Sequence, residues 1–154
     1  MVDHVVDTNV LLVASAAIEP RYPDVPADSD EIEDVYDWLR EFRDDSCRQM
    51  VLDEFFKIVE EYQNKLTWQH FGLLVVQKKL EQSCFRQVPV SYDENGHGVV
   101  PPALAAIDNS DKKFVAAALN DPSGIHIVNA TDSDWRQHRE VLQQHGVQVL
   151  ELLP

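Results

Sequence analysis

Positive charge is scarce in this chain: 13 lysines and arginines stand against 27 aspartates and glutamates in 154 residues, a formal net charge of −14. That deficit excludes a broad cationic face for wrapping nucleic acid or lying on an anionic membrane. Any polyanionic substrate must therefore be met at a local site, where carboxylates that repel phosphate when empty attract it once a divalent cation is bound. Cysteine is sparser still. Cys47 and Cys84 lie far apart with neither a CxxC pair nor a histidine at ligand spacing, which favours free thiols over a disulfide or a zinc site. The six histidines, His4, His70, His97, His126, His138 and His145, show no pairing spacing and read as structural or surface residues. No apolar run approaches the ~20 residues needed to span a bilayer. The first apolar stretch follows Asp3 rather than a basic segment, so the expectation is a cytoplasmic protein without membrane contact.

What remains is ordinary globular material, 44% hydrophobic and 26% charged, long enough for one domain over residues 1–154 with a single core. The β-branched run VDHVV reads as a first strand and NVLLVASAAI as a buried helix. EPRYPDVPADS, from Glu19 to Ser29, is a proline-rich loop whose last residue is placed to cap a helix over DEIEDVYDWLREF. MVLDEFFKIVEEYQNKL begins as a short apolar piece and passes into a helix with Leu52, Phe55, Phe56, Val59, Tyr62 and Leu66 as its stripe. TWQHFGLLVVQKKLEQ reads as a helix capped by Thr67, and FRQVPVSY as an extended segment that Pro89 confines to an edge or a loop. After the turn-rich DENGHGVVPP come a helix (SDKKFVAAALN), a strand (GIHIVNA), a helix (TDSDWRQHREVLQQH) and a last strand (VQVLEL). Alternation of strands and helices predicts an α/β sandwich with a mainly parallel sheet.

In such sheets ligands bind beyond the carboxyl ends of the strands, and two of these strands run into acids there. HVVD ends on Asp7, which interrupts an otherwise apolar run, and HIVNATDSD reaches Asp132 and Asp134. Both Asp7 and Asp132 are also placed to cap the helices that follow them. Asp111 shares a helical face with Phe114, Val115 and Ala118, so it lies on the core side, where an acid needs a partner or a metal. Asp53 and Glu54 lie about equally far off the apolar stripe of their segment, and the helical wheel does not choose between them. Lys112, Lys113 and Arg136 flank these acids and are placed to hold phosphates, while Trp38, Trp68 and Trp135 read as core or interface.

Taken together, VVDTNVLL, VLDEFFKIVEEY, DNSDKKFVAAAL and HIVNATDSDW resemble, in order and separation, the four acidic motifs of the PIN domain, across nearly the whole chain. The resemblance implies a Rossmann-like three-layer α/β/α sandwich and a metal-dependent endoribonuclease, a toxin of a toxin–antitoxin pair or a stand-alone processing enzyme. Carried across, the catalytic and metal-binding acids are Asp7, Glu54, Asp111 and Asp132, with Asp134 replacing or assisting Asp132; the motif thus favours Glu54 over Asp53. Thr8 and Asn9 complete the first motif beside the metal and substrate. Mg²⁺ or Mn²⁺ is the expected ion, since hard cations choose oxygen ligands and no histidine or cysteine set is present for zinc. RNA, a small antitoxin-like protein and a second copy of the chain are the implied partners. The segment from Glu19 to Ser46 and the loop SYDENGHGVVPP are longer than in compact toxin-type members, and an idle PIN-like binding or scaffold module is the alternative reading.

Overall fold

A computed structural model describes residues 1–19 and 24–154. Residues 20–23, part of the expected proline-rich loop, lie outside the described residues. Five strands, β1 (Asp3–Val6), β2 (Met50–Asp53), β3 (Phe85–Val88), β4 (Ile125–Asn129) and β5 (Gln148–Glu151), form one sheet in the order β3-β2-β1-β4-β5. Every neighbouring pair is parallel. With its flanking helices the sheet makes a three-layer α/β/α Rossmann-like sandwich. The chain steps outward from β1 to β2 and β3, then crosses back to β4 and β5. Right-handed crossovers put the helices of these two halves on opposite faces. The crevice between β1 and β4, where the direction reverses, opens at the carboxyl ends of the strands.

The central strands read as continuous apolar runs because both of their faces are covered: Val5, Val6, Val51, Leu52, Ile127 and Val128 are all buried. One layer holds α1 (Thr8–Ser15), α2 (Ser29–Asp44), α3 (Lys57–Lys65) and α4 (Phe71–Glu81), which pack on one another. Helix α1 is buried almost all round, and α4 crosses it at Gly72, whose backbone N–H donates to Ser15 Oγ at 2.9 Å. A Cβ on Gly72 would meet the Leu11 carbonyl oxygen at 2.6 Å, so the crossing requires glycine. Helix α5 (Lys112–Ala118) packs on β1, β2 and β4, and α7 (Arg139–Gln144), which follows the short α6 (Asp134–Gln137), packs on β5. Edge strand β3 ends just before Pro89, the position its missing N–H permits.

Several boundaries differ from the sequence reading. The cap of α2 is Asp28 rather than Ser29, because Asp28 and Glu31 form a reciprocal capping box. Helix α4 starts at Phe71, not at Thr67, since the Thr67 N–H donates to His70 Nδ1 and closes a separate turn. The last helix is divided at His138. The largest shift concerns MVLDEFFKIVEEY. Its strand runs to Asp53 and its helix begins at Lys57, so Phe55 (64% exposed) and Phe56 (41%) lie in the intervening turn instead of on a buried stripe. Phe56 has φ 57°, a left-handed conformation that breaks the register between the two elements. Cys47 and Cys84 are both free thiols. Among the described residues no helix is long and apolar enough to cross a membrane.

Candidate metal centre

The reversal point in the sheet gathers three aspartates from distant parts of the chain. Asp7 is the first residue after β1, Asp132 follows β4, and Asp111 closes the 3-10 turn (Asn109–Asp111) that leads into α5. One carboxylate oxygen from each lies within 4.8 Å of the others. At Asp7 capping and clustering coexist rather than compete, whereas the helix after Asp132 takes Ser133 as its N-cap instead. Asp7 Oδ1 accepts from the Asn9 N–H at 3.3 Å while its Oδ2 accepts from Trp135 Nε1 at 2.5 Å, and Asp132 Oδ1 accepts from the Asp134 N–H at 2.9 Å. Asp111 makes no side-chain bond to its own helix.

Three carboxylates that close cannot all stay ionised without a counter-charge. At 4.8 Å and an effective dielectric near 20, each pair repels by about 3 kcal/mol. Asp7 and Asp111 are also only 5% and 7% exposed. Burial first, then the charges of Asp7, Asp132, Asp108 and Glu61, pushes the Asp111 carboxyl up to about 8. Asp7 is pushed up to about 7 by burial, against the bonds from Trp135 and Asn9, with Asp132 and Glu61 adding to the rise. In the absence of metal these two groups hold protons near neutral pH, which a divalent cation would replace.

Beside the three-acid group, and not part of it, lies Glu61. The expected Glu54 is exposed in the turn after β2, its N–H bonded to the Val88 carbonyl, and it too lies outside the three-acid group. Helix α3 starts only at Lys57, and of the expected stripe Leu52, Val59, Tyr62 and Leu66 are buried while Phe55 and Phe56 are not. On this helix Glu61 stands beside the buried Ile58 and Tyr62 and faces α1. Thr8 Oγ1 donates to Glu61 Oε2, and Lys113 Nζ to Glu61 Oε1 at 2.6 Å.

The remaining expected site residues take other work. Asp134 lies in the first turn of α6, outside the three-acid group. Asn9 is fully engaged inside the protein: its Nδ2 donates to Asn129 Oδ1, and its Oδ1 accepts from the Ala130 and Thr131 N–H groups. With buried Asn129, which donates to the Asp132 carbonyl and to Glu151 Oε2, it shapes the loop that presents Asp132. Arg136 ties down the C-terminal segment through the Leu153 carbonyl (2.6 Å) and Glu151 (3.7 Å). Lys112 Nζ lies on Asn109 Oδ1 at 2.8 Å.

No family model, curated protein or solved structure matches the chain. The donors that the three aspartates offer are carboxylate oxygens alone. That set suits Mg²⁺ or Mn²⁺, whose hard character matches oxygen, and does not suit zinc, which selects nitrogen and sulfur.

Asp53, in the same segment as Glu54, has a structural place. It is fully buried and accepts from the Lys57 N–H (3.0 Å) and the Ile58 N–H (2.9 Å), supplying the cap that Phe56 lacks at the start of α3. Asp53→Ala is expected to cost about 2 kcal/mol of stability, the upper range for a lost cap, measured by urea denaturation. The stabilisation conferred by Mn²⁺ should persist in this variant. Its loss would place Asp53 in the metal site.

Proposed function

We propose that the chain is a Mg²⁺- or Mn²⁺-dependent nuclease of PIN type that hydrolyses phosphodiester bonds of RNA in the cytoplasm. The observation that supports this reading is the convergence of Asp7, Asp111 and Asp132 at the carboxyl edge of a parallel sheet, at its reversal point. An ion held by these three carboxylates would supply positive charge for the scissile phosphate and lower the pKa of an attacking water. The chain's own groups set the geometry. Trp135 and the Asn9 N–H fix the Asp7 carboxylate, Asn9 and Asn129 hold the loop that carries Asp132, and Thr8 and Lys113 orient Glu61. RNA is the substrate named because the resemblance in the acidic motifs points to it. A toxin's partners, a small antitoxin-like protein and a second copy of the chain, belong to this reading.

One feature favours the idle-module alternative: Asn9 and Arg136, both expected to touch substrate, are bonded internally. A fluorophore–quencher RNA incubated with metal-stripped protein decides between them. Cleavage is expected on adding millimolar Mn²⁺ and none in EDTA. Intact RNA in the presence of protein shown to bind Mn²⁺ would sink the enzyme reading and leave the binding module.

A further inference from the structure

Of the few cations in this acidic chain, one is set directly against the candidate site. Lys113 Nζ lies 2.6 Å from Glu61 Oε1 and 2.8 Å from the Ser110 carbonyl, and the two side chains are only 14% and 20% exposed. A pair this sheltered is not a loose surface contact. Its backbone is fixed as well, because the loop after β3 packs onto the start of α5 at Gly98, where a Cβ would lie 2.7 Å from Lys113 Cα. Glu61's other oxygen is taken by the Thr8 hydroxyl. The charge count then differs from that of a four-carboxylate site. Four carboxylates balance two divalent cations, but with one of them neutralised by an ammonium the remaining three attract one divalent ion strongly and a second weakly.

We propose that Lys113 acts as a built-in cation that occupies Glu61 and limits the site to a single divalent ion on Asp7, Asp111 and Asp132. This rests on the metal-site reading above and names the positioning residue that sets its stoichiometry. Glu61 is held beside the three aspartates by its bonds to Thr8, the neighbour of Asp7, and to Lys113, two residues after Asp111. Removing the ammonium frees it to help hold a second ion.

Titration of metal-stripped full-length chain with Mn²⁺, followed by calorimetry and by electron paramagnetic resonance, tests it without reference to activity. One Mn²⁺ per chain and a single-ion spectrum are expected for the wild type and for Lys113→Arg. Lys113→Gln, which keeps an amide donor for Glu61, and Lys113→Met should each bind two, with a spin-coupled spectrum. The double variant Lys113→Gln/Glu61→Gln should return to one. Two ions in the wild type, or one in both uncharged single variants, overturns the role of Lys113 while leaving the metal site standing. A wild type that binds no Mn²⁺ overturns the metal site and this inference with it.

Discussion

Asp111→Asn is expected to abolish Mn²⁺-dependent RNA cleavage and at the same time to raise the melting temperature of the metal-free protein. The loss of turnover should be about 10²–10³-fold, the scale on which removal of one preorganised electrostatic group in a water-excluded site is felt. The gain in stability has a separate cause. Asp111 is buried, repelled by Asp7, Asp132, Asp108 and Glu61, and makes no cap bond that an amide would lose. Relief of about 2 kcal/mol would raise the melting temperature by roughly 4–8 °C for a chain of this size. Asp7→Asn should match it in activity but not in stability. Asp7 accepts from Trp135 on one oxygen and from the Asn9 N–H on the other, and an amide offers only one acceptor to these two donors. About 1 kcal/mol from the lost bond then offsets part of the charge relief. Scanning calorimetry in EDTA beside the fluorogenic assay checks both. An Asp111→Asn variant that cleaves at the wild-type rate removes Asp111 from the site, and one that fails to fold makes it a structural residue.

The second large effect is a loss of metal-free stability as pH rises above neutrality. Folded Asp111 and Asp7 hold their protons up to about 8 and about 7, whereas in the unfolded chain both lose them near the ordinary value of 3.8. Through that interval the folded state binds more protons, so stability falls with rising pH until the folded values are passed. His4 works in the opposite direction at the lower end. Burial first, with Arg48 and His126 adding, lowers it to about 4, so stability also falls as pH drops below its unfolded value of 6.5. The clean window therefore lies between pH 6.5 and about 8.5. At about 1.4 kcal/mol per pKa unit, the metal-stripped protein should lose on the order of 2 kcal/mol there. Mn²⁺ replaces the protons, so its stabilising shift should be larger at the alkaline end, where no proton competes for the carboxylates. Asp111→Asn should flatten the metal-free profile. Equal melting temperatures across the window for the stripped wild type would mean that the aspartates are already ionised and balanced by some other charge.

Much of this protein was decided by the sequence alone. The apolar runs of β1, β2 and β4, broken at regular intervals by helical patterns, already require a parallel sheet covered on both faces, because only such strands have no polar side to show. The positions of Asp7 and Asp132 were legible for the same reason: Asp7 directly follows β1 and Asp132 comes three residues after β4, at the edge where these sheets bind ligands. Asp111 was legible from its helical spacing to Phe114, Val115 and Ala118, the buried face of α5, which begins one residue after it. These signals are local, carried by periods of two and 3.6 residues within one element.

Tertiary structure decided the rest. Phe55 and Phe56 are exposed because the left-handed residue Phe56 separates β2 from α3, a break that an apolar stripe drawn through both elements does not show. Lys113 meets Glu61 across 52 positions of sequence, and Asn9 meets Ala130 across 121. Cations and amides that looked available for a substrate are thereby spent on holding the site together. Such pairings have no period to betray them. They exist only once α1, α3, α5 and the loop after β4 have docked around the reversal point of the sheet, where burial leaves each polar group to find its partner inside the protein.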